Sequence, residues 1–130
     1  MVYFVGAGPG AADLITVRGM RLLEQADVVI YAGSLVNPEL LSYCKKECEI
    51  HNSAYMTLEE VLAVMEEAEK QKLTTVRLHT GEPSIYGAVR EQMDLLDEKG
   101  ILYESCPGVS ACFGAVSYTH LRAHETGRNL

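Results

Sequence analysis

Val2-Tyr3-Phe4-Val5-Gly6-Ala7-Gly8-Pro9-Gly10 begins as a short apolar run and breaks at once into glycine and proline. A run of this kind reads as a buried strand feeding a tight loop. Its glycines let backbone approach a ligand closely, because without a Cβ they can take positive φ. Pro9 has no N–H to give, and Asp13 adds a carboxylate just beyond the turn. A diphosphate-binding turn wants the opposite, free donors and a helix N-terminus clear of negative charge. The turn suits a nucleoside better than a pyrophosphate.

Outward from this turn, strand and helix signals alternate. Thr16 is an N-cap for a segment in which Val17, Met20, Leu23 and Ala26 recur at helical spacing. Val28-Val29-Ile30-Tyr31 is too uniformly apolar for a half-exposed strand, so both of its faces should be covered. Asn37-Pro38 reads as a cap with proline at the first helical position, opening a short helix through Leu40 and Leu41. A brief strand is expected near Glu49 to His51. Thr57-Leu58-Glu59-Glu60 is a capping box, and Leu58, Val61, Leu62, Met65 and Ala68 line one face of the helix it starts. Thr75 to His79 is the fourth strand, Tyr86 to Leu96 a helix stopped by Gly100, and Ile101 to Cys106 the fifth strand.

This alternation predicts an α/β fold, a mostly parallel five-stranded sheet with helices on both faces. Ligands of such sheets sit beyond the carboxyl ends of the strands. The turns at Gly6 to Gly10, Thr80 to Ser84 and Pro107 to Ser110 should therefore share one rim.

Composition narrows the partners. The chain has 130 residues, 48% of them hydrophobic, and a net charge of −7. That charge argues against nucleic acid or an anionic membrane surface, which call for a basic face. No apolar stretch approaches the roughly 20 residues needed to span a bilayer, and no basic leader precedes the first strand, so the chain reads as cytoplasmic. Cys44, Cys48, Cys106 and Cys112 form neither a CxxC pair nor a disulfide scaffold and read as buried free thiols. Cys44 and Cys48 could share a helix face as metal ligands, but no second ligand pair is spaced to complete a site, so no metal is expected.

The motifs carry alternatives. An NAD fingerprint needs GxGxxG and an acidic residue closing the second strand; Ala11 stands where the third glycine belongs, and Tyr31-Ala32-Gly33-Ser34 has no carboxylate. Thr80-Gly81-Glu82-Pro83-Ser84 is either a ligand loop or a turn in which Ser84 caps the next helix. Pro107 to Ala111 is either a strand-to-helix turn capped by Ser110 or a surface of small residues for adenine or ribose. His79 reads as a hydrogen-bonded rim residue and not a base, since no nucleophile is spaced to pair with it. His120 and His124 are four apart but have no evident third ligand. Residues 117–130 break a small-residue helix beginning near Ser110 and look foreign to the fold.

Taken together, YFVGAGPGAADLITVRGMRLLEQADVVIYAGSLVNPELL, VRLHTGEPSIYGAVREQMDLL and YESCPGVSACFGA resemble the N-terminal domain of the tetrapyrrole methylases of cobalamin and sirohaem biosynthesis. YAGSLVNPELL is most similar to the precorrin-4 (cobalt-precorrin-4) C11-methyltransferase branch; the C20, C17 and uroporphyrinogen III enzymes are the alternatives within the family. The resemblance covers about residues 1–116 and implies the N-terminal domain of a two-domain enzyme, with residues 117–130 an anomalous tail and the second domain missing. It implies S-adenosylmethionine as cofactor, a precorrin as substrate, and a homodimer. By motif, Pro9, Thr80, Gly81, Glu82, Ile85, Ser110 and Ala111 would contact the cofactor, and no catalytic residue is assigned. Glu82 stands where most relatives have aspartate. Outside the family, an NAD(P)-binding module and a non-catalytic partner domain are the competing readings.

Overall fold

The computed structural model describes residues 1–33, 36–79 and 87–109. Five strands, β1 (Val2–Gly6), β2 (Val28–Tyr31), β3 (Glu49–Asn52), β4 (Thr75–His79) and β5 (Tyr103–Cys106), form one sheet in the order β3-β2-β4-β1-β5, and every pairing is parallel. Three helices connect them: α1 (Val17–Gln25), α2 (Leu58–Lys70) and α3 (Gly87–Lys99). Short 3₁₀ turns occupy Ala12–Leu14, Pro38–Tyr43 and Ser53–Tyr55.

Parallel pairing follows from the connections, because each strand is followed by a helical segment that must return along the sheet before the next strand begins. Connections running outward toward β3 use α1 and the Pro38–Tyr43 turn, and those returning toward β5 use α2 and α3. The two sets cover opposite faces, as a common crossover handedness requires. On one face Leu23, Ala26, Val36 and Leu40 pack against Val5, Val29, Val76 and Leu78. On the other Val61, Leu62, Met65, Val89 and Leu96 pack against Val2, Phe4, Val28 and Ile30. Val28, Val29 and Ile30 are all buried, which is the two-sided cover that their uniform apolarity called for.

The helix starts are those the sequence encodes. Thr16 caps α1 by accepting from the Gly19 N–H at 3.0 Å. Thr57 and Glu60 form the reciprocal capping box of α2. The packing face of α1 differs from the expected one. Leu23 and Ala26 are buried but Val17 is 59% exposed, and the helix approaches the sheet through Gly19, where an added Cβ would lie 3.0 Å from Val5 Cγ1. A glycine gives no apolar signal, so periodicity alone displaced the stripe onto Val17. The segment after Pro38 is 3₁₀ and not α, and β5 starts at Tyr103, leaving Leu102 largely exposed.

Candidate ligand crevice

β1 and β4 lie side by side at the centre of the sheet, with Gly6 opposite His79, yet their following helices, α1 and α3, cover opposite faces. Neighbouring strands whose connections part in this way leave a crevice at their carboxyl ends, the usual ligand position of an open parallel sheet. β5 flanks β1 on its other side, with Val5 opposite Cys106. The strand ends that precede the three bends singled out in the sequence are therefore adjacent on one rim.

Of the residues expected to contact a cofactor, Pro9 lies on this rim in the loop after β1. Thr80, Gly81, Glu82, Ile85, Ser110 and Ala111 lie outside the described residues, as do Cys112 and residues 117–130. The loop after β1 is built to a fixed shape. Gly8 takes φ +84°, and a Cβ there would sit 2.7 Å from the Leu14 carbonyl oxygen, so only glycine closes this turn. Ala7 N–H donates to His79 O at 2.6 Å, tying the loop to β4, and Leu14 N–H donates to Ala11 O at 3.0 Å.

Ten residues separate the end of β1 from the start of α1, and the first free N–H groups of that helix are partly satisfied by Thr16. A dinucleotide fold instead runs from strand through a glycine turn directly into a helix whose N-terminus faces the diphosphate. Here the Ala7 and Leu14 donors are spent within the protein, Pro9 has none, and Asp13 falls in the first turn of the Ala12–Leu14 segment. With these two donors used, none at Pro9 and a carboxylate at Asp13, the loop is less suited to an anion than a dinucleotide turn and is compatible with a neutral or positively charged nucleoside.

Asn37 adds a contact that the sequence did not disclose. Its side-chain oxygen accepts from Glu39 N–H at 2.9 Å, the cap already expected, while its Nδ2 donates to Gly10 O at 3.0 Å. One side chain thus links the segment after β2 to the loop after β1. At the opposite edge of the loop, Thr16 Oγ1 lies 3.9 Å from Cys106 Sγ, joining it to the end of β5.

His79 and Arg77 depart from expectation. On β4, Val76 and Leu78 face α1, whereas Thr75, Arg77 and His79 are buried on the α2/α3 face. Arg77 Nε donates to Gln92 Oε1 at 3.1 Å and its Nη1 to Ile30 O at 3.2 Å, clamping β4 to α3 and β2. Burial lowers its pKa to about 10, so it stays charged at neutral pH. His79 stands at the rim but is more enclosed than expected: its ring stacks on Phe4 at 6.0 Å and 19°, and its buried Nε2 has no partner among the described residues. Burial, reinforced by the Arg77 charge, lowers its pKa to about 3, so the imidazole is neutral at physiological pH.

Other features lie away from the crevice. A groove of about 660 Å³ opens at the amino ends of β2 and β3, lined by Asp27, Lys45, Glu49, Glu67 and Gln71 among others. Asp27 there accepts from Lys45 Nζ at 2.6 Å and from Thr74 N–H at 2.9 Å, and the Lys45 contact holds its pKa below the usual carboxylate value. It is a strand-start brace at the end of the sheet remote from the crevice. Cys44 and Cys48 are half-buried, less enclosed than expected, while Cys106 is buried; all three are free thiols. Among the described residues no group of three or more His, Cys, Asp or Glu gathers as a metal site, and no helix is long and apolar enough to cross a membrane.

Comparison with known proteins agrees with this architecture. Over 116 residues the chain is 57% identical to the cobalt-precorrin-4 C(11)-methyltransferase of Methanocaldococcus jannaschii, covering 89% of this chain and 45% of that protein. The X-ray structure of a cobalt precorrin-4 methyltransferase of cobalamin biosynthesis superposes with a TM-score of 0.88 at 45% identity, covering 92% of this chain and 50% of that one. A uroporphyrin-III C-methyl transferase from Thermus thermophilus, solved in complex with S-adenosyl homocysteine, superposes with a TM-score of 0.70 at 32% identity, covering 85% of this chain and 45% of that one. The chain thus spans about half the length of the relatives it matches. The family model for the tetrapyrrole (corrin/porphyrin) methylases matches residues 1–130. The chain belongs to the tetrapyrrole methylases.

Proposed function

We propose that this chain carries the S-adenosylmethionine half-site of a methyltransferase acting on C11 of precorrin-4 or cobalt-precorrin-4 in cobalamin biosynthesis. The observation that carries the reading is the loop after β1, in which Ala7 and Leu14 donors are spent internally, Pro9 offers none and Asp13 adds negative charge. Such a surface disfavours a diphosphate and is compatible with a sulfonium nucleoside. The similarity to precorrin-4 C(11)-methyltransferases supports the choice of substrate, and the S-adenosyl homocysteine complex of a structural neighbour supports the cofactor.

When bound, the cofactor would supply an electrophilic methyl group for transfer to C11, with S-adenosylhomocysteine as the leaving group. The protein's contribution is alignment of donor and ring carbon, for which effective molarities reach about 10⁵–10⁸ M in favourable systems. Pro9, Thr80, Gly81, Glu82, Ile85, Ser110 and Ala111 are the proposed cofactor contacts. A homodimer and a cytoplasmic location complete the proposal, and residues 117–130 are proposed to lie outside the domain formed by residues 1–116.

The test is a thermal-shift comparison of S-adenosylhomocysteine with NAD⁺. A ligand at 100 times its Kd stabilises by about 2.7 kcal/mol. A rise in Tm with S-adenosylhomocysteine and none with NAD⁺ is expected, and the reverse pattern overturns the reading.

A further inference from the structure

Two buried ionisable side chains stand on one face of β4, two residues apart, and neither has a carboxylate partner among the described residues. Arg77 spends donors on Gln92 and on the Ile30 carbonyl, both uncharged. His79 is 7% exposed, and its Nε2 is buried without a hydrogen-bond partner. A bare buried nitrogen is a standing cost to a fold, and native structures keep few of them without a reason. Phenylalanine would fill the same stacking position against Phe4 without that cost.

Position supplies the reason. His79 is the last residue of β4, its carbonyl receives the Ala7 N–H, and it lies opposite Gly6 where the crevice opens. We infer that His79 Nε2–H donates a hydrogen bond to a carboxylate oxygen of the ligand held between β1 and β4. The guanidinium of Arg77, on the same face, makes the local potential positive and favours an anionic acceptor over a neutral one. Burial keeps the ring neutral at physiological pH, and in the tautomer protonated at Nε2 it donates without carrying charge. This assignment rests on the S-adenosyl reading of the crevice. Two sources could provide the oxygen, the amino-acid carboxylate of the cofactor or a carboxylate side chain of the tetrapyrrole.

The experiment compares wild type, His79→Phe and His79→Gln by isothermal titration with three probes. S-adenosylhomocysteine carries the carboxylate, 5′-methylthioadenosine keeps the nucleoside and thioether but lacks it, and uroporphyrin III supplies tetrapyrrole carboxylates. For a cofactor carboxylate, His79→Phe binds S-adenosylhomocysteine roughly 10–100-fold more weakly and methylthioadenosine as wild type does, and His79→Gln recovers part of the loss. Melting of unliganded His79→Phe at or above the wild-type temperature separates this loss from a folding defect. A loss confined to uroporphyrin III assigns the contact to the tetrapyrrole. Unchanged affinity for all three probes, or an equal loss with methylthioadenosine, overturns the assignment while the cofactor reading stands. Absence of S-adenosylhomocysteine binding to wild type overturns both.

Discussion

Asn37 and Gly10 are joined by a 3.0 Å hydrogen bond from the Asn37 amide to the Gly10 carbonyl, so that one side chain caps a 3₁₀ turn and steadies the loop at the crevice. The two jobs use different atoms, Oδ1 for the cap and Nδ2 for the loop, and substitution separates them.

Asn37→Asp keeps an oxygen for the Glu39 N–H but removes the donor to Gly10, setting a carboxylate against a carbonyl. Its Tm should stay near the wild-type value while affinity for S-adenosylhomocysteine falls. Asn37→Ala loses both contacts and should cost about 1 kcal/mol as well. Melting curves and titrations on the two variants check the separation; equal affinities for Asn37→Asp and wild type would remove Gly10 from the site.

The capping box of α2 is exposed and belongs to the helix that follows the edge strand β3, two strands from β4 and outside the β1–β4 crevice. Thr57→Ala should lower stability by about 1 kcal/mol, within the roughly 0.5–2 kcal/mol range of such caps, and leave ligand affinity unchanged. Glu60→Ala in the same background should add less than it does alone, because the reciprocal pair is already broken. Chemical denaturation of the three variants measures this directly.

His79 makes stability depend on pH in a defined window. Its folded pKa of about 3 lies below the ordinary 6.5, so between these values the unfolded chain binds a proton that the folded chain does not. Stability is therefore fully present above pH 6.5 and declines as pH falls toward 3, by at most about 1.4 kcal/mol per pH unit. Asp27, also depressed, loses its contribution only below its ordinary value of 3.8, outside most of this window. Urea denaturation at pH 7.5, 6 and 5 should show the decline in wild type and a shallower one in His79→Phe.

Burial pushes the Cys48 thiol up to about 12, with Cys44 beside it adding to the rise, and Cys44 is raised as well. Thiolate is the reactive form, so alkylation of both by iodoacetamide at pH 7.5 should be much slower in the native protein than in the denatured chain. Peptide mapping after timed labelling follows each cysteine, and labelling of Cys48 at the denatured rate would contradict the burial.

How much of this could be seen in the residues alone depended on the range of the interaction. Local chemistry was legible: the Thr16 and Thr57 caps, the uniformly apolar β2 and the limits of β4 all come from neighbours in the chain. The face of α1 was misplaced because Gly19 packs by having no side chain, which no hydrophobic pattern records. The second role of Asn37 reaches Gly10 across 27 positions, beyond any motif. The enclosure of His79 was missed for the same reason. Its sequence neighbours suggest an open strand end, whereas Phe4, supplied by β1, encloses the ring. The rim itself was legible, since parallel strands put their carboxyl ends together; the strand order that opens the crevice between β1 and β4 was not.

That strand order also has a consequence for how the chain assembles. Val2 pairs with Thr75 on one side and Tyr103 on the other, so both neighbours of the first strand are made long after it. β2 and β3, adjacent in sequence and in the sheet, can join early at small loop-closure cost. On the ribosome, β1 must therefore wait with both edges unpaired, and the sheet should grow around it from the β2 side, with insertion of β1 between its late partners as the slow step.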